Sequence, residues 1–156
     1  MTNKQRQVRL DDFGAWLIKG NADSADLVDR FAGDPHVTRW CVRPSYRLDL
    51  MRAGQPVLFW ASGCRRRDIP YGIWGLGKLT GLPGPHGPED QWSVPLSLII
   101  LDPPHRLTRE ALRADPRLTG LEVLRQPQAA NPSFATSRQF AAIRDRLPSP
   151  SANEEP

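Results

Sequence analysis

The chain has 156 residues, a formal net charge of +4 and an apolar fraction of 39%, which suits one domain with its own hydrophobic core. No apolar run reaches membrane-spanning length, and the N-terminal MTNKQRQVRL lacks the apolar segment of a signal peptide, so a cytoplasmic location and no membrane partner are predicted. The positive charge is almost wholly arginine, a side chain suited to phosphate contacts and to stacking on bases.

Short apolar segments between glycine- and proline-rich turns predict strands, and segments with helical spacing predict helices. In chain order the predicted elements are a strand over Ala15–Lys19, a helix over Ser24–Phe31, an extended segment over Arg39–Val42, strands over Val57–Ser62, Gly72–Leu79 and Trp92–Leu101, and helices over Thr108–Ala114 and Thr136–Leu147. Pro95 predicts an edge strand or a bulge. A T-x-x-Q capping box at Thr136 and Gln139 predicts the start of the last helix.

This order of elements predicts an α+β domain, a small β-barrel with helices packed outside. The domain is expected over residues 13–147. Residues 1–12 are expected to form a flexible N-terminus, and the Pro/Ser/Glu-rich residues 148–156 a disordered tail.

The stretch YGIWGLGKLTG nearly matches a phosphate-binding loop, because Gly72, Gly77 and Lys78 satisfy G-x-x-x-x-G-K. Leu79 replaces the hydroxyl residue that would hold Mg²⁺, and the Gly/Pro-rich segment after it cannot begin the helix that such a loop requires. Alternating residues instead predict a strand, in which glycine marks a bend or a close approach to the backbone.

Other arrangements typical of catalysis or cofactor binding are absent from the sequence. Cys41 and Cys64 have neither a C-x-x-C partner nor a disulfide framework, and His36, His86 and His105 stand in predicted loops without metal-ligand spacing. We therefore expect no catalytic residues, no metal and no cofactor.

Tryptophan is frequent, with five residues in the chain, and most of these side chains are expected in the core. Trp40 differs because Arg39, Arg43 and Arg47 surround it with little apolar sequence nearby. An aromatic ring flanked by cations is typical of a site that stacks a base and contacts phosphates. The run Arg65, Arg66 and Arg67 is either a solvated charge cluster or a second phosphate-contacting patch.

In sequence the chain resembles the EVE domain family, whose PUA-like barrel is related to the YTH readers of methylated adenine. The resemblance covers Trp16 to Leu147 and rests on segments in a common order. They are Trp16–Lys19 (W-L-M-K in the family), Trp40 with Tyr46 (a tryptophan before V-R-N-Y), Phe59–Cys64 (F-Y-H-S-N-C), Gly72–Leu79 (G-I-x-G), Trp92-Ser93 (W-S) and Leu124–Pro132 (R-Q-x-x-L-S-x-x-P). The pair Trp40-Cys41 is similar to the W-C pair of YTH domains.

The resemblance implies a PUA-like barrel of five to six strands with a pocket for a flipped, modified base such as methylated or hydroxymethylated cytosine. Carried over by position, Trp40 would be the stacking wall, Lys19, Gly20 and Asn21 would line the floor with Ser62 beside them, and Arg125 and Gln126 would face the mouth. Cys41 and Tyr46 are the other residues expected in the pocket. The family's K-S-E-P is Lys19-Gly20-Asn21-Ala22 here, and this difference concerns which modification is read.

The sequence therefore predicts a non-enzymatic module that recognises a modified base in DNA or RNA and acts through an effector protein. Arg39, Arg43, Arg47, Arg65, Arg66 and Arg67 are predicted to contact the nucleic-acid backbone. The alternatives are an enzyme or accessory subunit that binds a nucleotide-like small molecule in the same pocket, and a protein-interaction module that has lost its ligand.

Overall fold

A computed structural model describes residues 7–23, 27–128 and 131–148 of the chain. The strands in these ranges are β1 (Phe13–Asn21), β2 (His36–Cys41), β3 (Pro56–Ser62), β4 (Gly72–Leu79), β5 (Gly84–His86), β6 (Gln91–Ile100), β7 (Leu107–Thr108) and β8 (Ser133–Thr136). The α-helices are α1 (Leu27–Gly33), α2 (Arg109–Arg113), α3 (Glu122–Arg125) and α4 (Ser137–Arg146). Short 3₁₀ turns, including Tyr46–Leu50, lie between them.

All of these strands belong to one mixed sheet, whose main path runs β2-β6-β4-β3-β1-β8. Off this path, β5 pairs with β6 and β7 pairs with β4. The β1–β3 pair is parallel and the other pairs are antiparallel. The α+β class is thus confirmed. Within the described residues β2 and β8 are the two edge strands and the sheet is open, so the expected barrel is not confirmed.

The sheet buries apolar side chains on both faces, as the near-continuous apolar runs of β1 and β3 require. Trp16, Ile18 and Phe59 enter one cluster, which also receives Phe31 of α1. Leu17 and Leu58 point to the other face and enter a cluster with apolar residues of α2, α3 and α4. Adjacent residues of one strand therefore anchor opposite layers.

Glycine in β4 serves close strand packing, which supports the strand interpretation of the phosphate-loop-like stretch. Gly77 pairs with Val57 on one side and Leu98 on the other. A Cβ built at Gly77 would lie 1.9 Å from the carbonyl oxygen of Ser97 and 2.6 Å from Cα of Leu98. Only a residue without a side chain fits there without moving the β6 backbone.

Most predicted elements are present, and some of their ends differ. The first strand is longer than predicted, and the capping box of Thr136 and Gln139 is confirmed at the start of α4. Pro95 lies within β6, opposite a register shift between Val37 and Arg39 of β2. Residues 24–26, where the first helix was predicted to begin, and residues 149–156 of the predicted tail lie outside the described residues.

The segment before β1 packs against the domain from Val8 onward, although it was expected to be flexible. Val8 is buried, and its backbone N–H donates to the Tyr46 hydroxyl at 2.9 Å. Residues 10–12 form a 3₁₀ turn that leads into β1.

Across the described ranges the longest helix, α4, has 10 residues, and none of the helices has the length and apolar character needed to cross a bilayer.

Replacing Gly77 with alanine should lower the free energy of unfolding by about 1–3 kcal/mol, because the added methyl group forces the β4 and β6 backbones apart. Urea unfolding followed by circular dichroism measures the change. Gly84→Ala in β5 is the matched control, since a Cβ there meets nothing within 4 Å. Equal stability of the two variants would contradict the close-packing role of Gly77.

Candidate functional site

Trp40 is held at the end of β2 by its indole N–H, which donates to the backbone carbonyl of Lys19 at 2.8 Å. Its ring packs edge-on against Phe59, with ring centroids 4.9 Å apart, and lies 6.1 Å from the ring of Phe31. The half-buried side chain therefore joins the core on one side. The sequence expectation that Trp40 has little apolar company is wrong, because β3 and α1 bring phenylalanines to it.

Gly20 makes room for this aromatic group. A Cβ at Gly20 would lie 2.4 Å from the Phe59 ring and 2.8 Å from the Trp40 ring. Any side chain at this position would displace one of the two rings.

Asn131 fixes the strand ends around Trp40. Its side-chain oxygen accepts the N–H of Lys19 at 3.1 Å, and its amide nitrogen donates to the Cys41 carbonyl at 3.2 Å. Its backbone carbonyl accepts the N–H of Arg43 at 2.8 Å. Asn131, which precedes β8, therefore bridges β1 and the chain that leaves β2.

A cleft of about 420 Å³ opens beside Trp40, which is within the range of small-ligand sites. Residues of α1, β2, β5, the turn that follows β5, and β6 line it: Arg30, Arg39, Trp40, Cys41, His86, Gly87, Pro88, Gln91 and Ser93. None of these lining residues is acidic. The cleft thus combines an aromatic wall with a cationic rim.

Two arginines occupy defined positions in this cleft. Arg39 donates from Nη1 to the hydroxyl oxygen of Ser93 at 3.0 Å, which fixes its guanidinium against β6. The guanidinium carbon of Arg30 lies 5.1 Å from the centroid of the Trp40 ring, a cation–π distance. Arg30 therefore covers part of the indole.

The predicted mouth residues Arg125 and Gln126 do not line the Trp40 cleft. They line another cleft of about 350 Å³ with Gly120 and Glu122. The Lys19 amine points toward the same segment and donates to the Pro127 carbonyl at 3.1 Å. Burial lowers the pKa of Lys19 to about 8, with Arg47 and Arg43 acting in the same direction against Glu122.

Other predicted pocket residues have mainly supporting positions. The Ser62 hydroxyl donates to the Gly20 carbonyl at 3.2 Å, and the Asn21 side chain accepts the N–H of Asp23 at 2.9 Å. The Tyr46 hydroxyl contacts Val8. Of the nine predicted pocket residues, only Trp40 and Cys41 line the cleft directly. Lys19 and Gly20 contact the Trp40 side chain, and Ser62 binds the Gly20 carbonyl.

The prediction that Arg47 contacts nucleic acid is wrong, because its side chain has no exposed surface. Arg47 instead forms an ion pair in the interior. Its two terminal nitrogens donate to the two oxygens of Glu122, each at 2.8 Å. The Ser133 hydroxyl donates to Glu122, and Arg47 also donates to the Pro132 carbonyl. Burial raises the pKa of Glu122, but the hydrogen bonds from Arg47 and Ser133 outweigh it and leave the pKa below its ordinary value.

The loop of Arg65, Arg66 and Arg67 follows β3 at the end of the sheet where β1 also ends, because the two strands are parallel. The Asp23 carboxylate accepts the backbone N–H groups of Cys64 and Arg65. The hydroxyl of Tyr71 also donates to it, and these hydrogen bonds, that of Tyr71 first, hold the pKa of Asp23 below its ordinary value. All three arginines are exposed, and Arg66 pairs with Asp68 at 2.7 Å.

Several residues of the site were not identified from the sequence. Asn131 falls within the segment Leu124–Pro132 that carried part of the resemblance, so its region was recognised but its role was not. Arg30 stands on the exposed side of a predicted helix, and His86, Gln91 and Ser93 come from segments separated from Trp40 by more than 40 residues. Only the pairing of β2 with β6 and of β6 with β5 brings them together.

Neither a protein-family model nor a curated protein matches the sequence of the chain. Solved structures match its fold. An X-ray structure of a protein from Pseudomonas putida is 21% identical and aligns 86% of this chain with 100% of that chain, at a TM-score of 0.61. A hypothetical protein from Leishmania major is 19% identical, and the alignment covers 88% of this chain and 97% of that chain at a TM-score of 0.61. The NMR structure of Rpa0253 from Rhodopseudomonas palustris is 15% identical, with 92% and 96% covered at 0.59. At these identities the likeness concerns the fold alone.

Replacing Glu122 with glutamine should lower the free energy of unfolding at pH 7 by about 3 kcal/mol, because Arg47 keeps its charge in the interior without a counter-ion. The folded-state pKa of Glu122 is lowered, so the pair stabilises the protein above the ordinary carboxyl pKa of about 4.3 and loses this effect as the pH falls through the folded value. The difference between wild type and variant should therefore narrow below about pH 4.

Urea unfolding at pH 7 and at pH 3–4 measures this difference. Glu110→Gln, an exposed glutamate of α2, is the control and should change stability by less than about 0.5 kcal/mol at either pH. A difference for Glu122→Gln that stays constant with pH would contradict the assigned direction of the pKa shift.

Proposed function

We propose that this protein is a non-enzymatic module that binds a modified base of DNA or RNA, flipped out of its strand and stacked on Trp40. The observation that carries the proposal is the cleft of about 420 Å³ with one indole as its wall and arginines at its rim. Stacking on an aromatic side chain, with cations for the adjoining phosphates, is the common chemistry of single-strand recognition.

The rigid support of Trp40 favours this function over that of a protein-interaction module without a ligand. The hydrogen bond to Lys19, the contacts with Phe59 and Phe31, and the missing side chain at Gly20 fix the ring in one orientation. A preorganised ring gains more from stacking, since little side-chain freedom is lost on binding.

Stacking can supply the energy that base flipping requires. Unstacking a base costs a few kcal/mol, and stacking on an aromatic side chain returns roughly 1–3 kcal/mol. A methyl group adds only about 0.8 kcal/mol by burial, so selectivity for a modified base needs polar contacts. Gln91 and Ser93, which line the cleft, offer an amide and a hydroxyl for this purpose.

The same proposal assigns the chain to a PUA-like fold related to the EVE domains. Six of the eight described strands form the main path of the sheet, and a barrel of five to six strands was expected. The hydrogen bonds of Asn131 to Cys41 and Arg43 bring the end of β2 close to the start of β8, which is the approach that a barrel requires. These contacts support the assignment, and an alignment of relatives of known ligand would test it.

Replacing Trp40 with leucine should weaken binding of an oligonucleotide with the recognised base by about tenfold or more, because the stacking surface is lost. Leucine is preferred to alanine, since Trp40 packs against Phe31 and Phe59 and truncation would leave a cavity. The measurement is a titration with DNA and RNA strands that carry cytosine, methylcytosine, hydroxymethylcytosine or methyladenine.

Trp92→Leu is the matched control, because Trp92 is also half-buried but does not line the cleft. Circular dichroism of both variants reports on the fold. Equal affinities of the wild-type protein and a folded Trp40→Leu variant would refute the stacking site.

Replacing Arg65 and Arg67 together with glutamine should weaken binding to every strand alike and flatten its salt dependence. Each lost phosphate contact lowers the slope of log K against log salt by about 0.7 for a single strand. Arg66 is left in place, since Asp68 already pairs with it. Titrations at three salt concentrations measure the slope.

The control for this pair is Arg113→Gln with Arg138→Gln, two exposed arginines on α2 and α4 with the same change in net charge. An equal loss of slope in both double variants would show that total charge, rather than the loop after β3, determines the salt dependence.

A further inference from the structure

Arg30 occupies the place where a stacked base would lie. Its guanidinium carbon is 5.1 Å from the centroid of the Trp40 ring. A planar base between the two groups would need a separation of about 7 Å, since each layer requires roughly 3.5 Å of contact distance. A base can therefore stack on this face of the Trp40 indole only if Arg30 moves away.

A displaced Arg30 has no acidic partner among the residues that line the cleft. Arg39, the second guanidinium there, is held by the neutral hydroxyl of Ser93, and a guanidinium has more donors than this one bond uses. Two cations that share a concave surface without a carboxylate favour an anionic ligand.

We propose that Arg30 and Arg39 bind the phosphate of the same nucleotide whose base stacks on Trp40, with Arg30 exchanging its contact with the indole for one with the phosphate. The ligand of the cleft is then a base together with its phosphate, either a free nucleotide or a nucleotide within a strand. This inference rests on the base-stacking function proposed above and adds the anionic half of the ligand.

The exchange has a distinctive consequence for a variant without the Arg30 charge. A nucleoside brings no phosphate, so it must displace Arg30 without compensation, whereas a nucleotide recovers the contact. Arg30→Gln should strengthen nucleoside binding by about twofold to fivefold, which is the value of an exposed cation–π contact. The same variant should weaken nucleotide binding by about tenfold.

The test uses the full chain, with the Trp40 indole N–H signal in proton–nitrogen NMR spectra as the reporter, assigned by its loss in Trp40→Phe. The probes are inorganic phosphate, 5-methyl-2′-deoxycytidine, its 5′-monophosphate, and a trinucleotide with this base at its centre. The expected result is that the monophosphate or the trinucleotide binds about tenfold more tightly than the nucleoside. The tighter of the two identifies a free nucleotide or a strand as the source of the phosphate.

Two further variants separate the phosphate contact from the fold. Arg39→Gln should weaken nucleotide binding by a larger factor than nucleoside binding, while Arg39→Lys should retain part of the nucleotide affinity. Arg138→Gln on α4 carries the same loss of charge outside the cleft and should change neither.

Equal affinity of nucleoside and nucleotides would overturn this inference and leave the base-stacking function standing. A phosphate-dependent shift of the Trp40 signal without any gain from the base would overturn the proposed function, and with it the link between base and phosphate. If no probe shifts the signal, both are overturned. A nucleoside affinity that falls in Arg30→Gln would contradict the exchange at the indole.

Discussion

The buried ion pair of Arg47 and Glu122 joins the parts of the chain that adjoin the two edges of the sheet. Arg47 lies in the turn after β2, while Glu122 belongs to α3 and also binds Ser133 of β8. An unpaired charge in this interior would cost several kcal/mol, so these segments are forced to meet in one arrangement. Asn131 can then reach Lys19, Cys41 and Arg43 at once, and the position of Trp40 depends on that arrangement.

The site is divided between rigid and movable groups. Backbone hydrogen bonds and aromatic packing fix Trp40, and Ser93 restrains Arg39. Arg30 lies on the exposed side of α1, and its guanidinium carbon is 5.1 Å from the centroid of the Trp40 ring and 6.0 Å from that of the Phe31 ring. For the proposed base binding, this arrangement would combine low reorganisation at the Trp40 ring with adaptability at the rim. The loop after β3 adds positive charge at the same end of the sheet where β1 ends.

Local pattern predicted much of the fold and only part of the site. The apolar runs of β1, β3 and β6 and the capping box at Thr136 are local signals, and the elements that they predict are present. The burial of Arg47 was not predictable, since its partner stands 75 residues away. The arginines around Trp40 look alike in sequence, yet their environments differ. Arg47 is buried, Arg39 binds Ser93, and Arg43 is exposed beside Asn131. Their different environments follow from tertiary pairing, which no local pattern encodes.

Trp40 is held by the carbonyl of Lys19, a group that every amino acid possesses, while the Lys19 amine faces a different cleft through Pro127. The aromatic wall therefore does not depend on which side chain stands at position 19. Relatives can change the chemistry at this position during evolution and keep the ring in place. The backbone of position 19 thus serves the indole while its side chain serves the neighbouring cleft, so the two surfaces can change independently of each other.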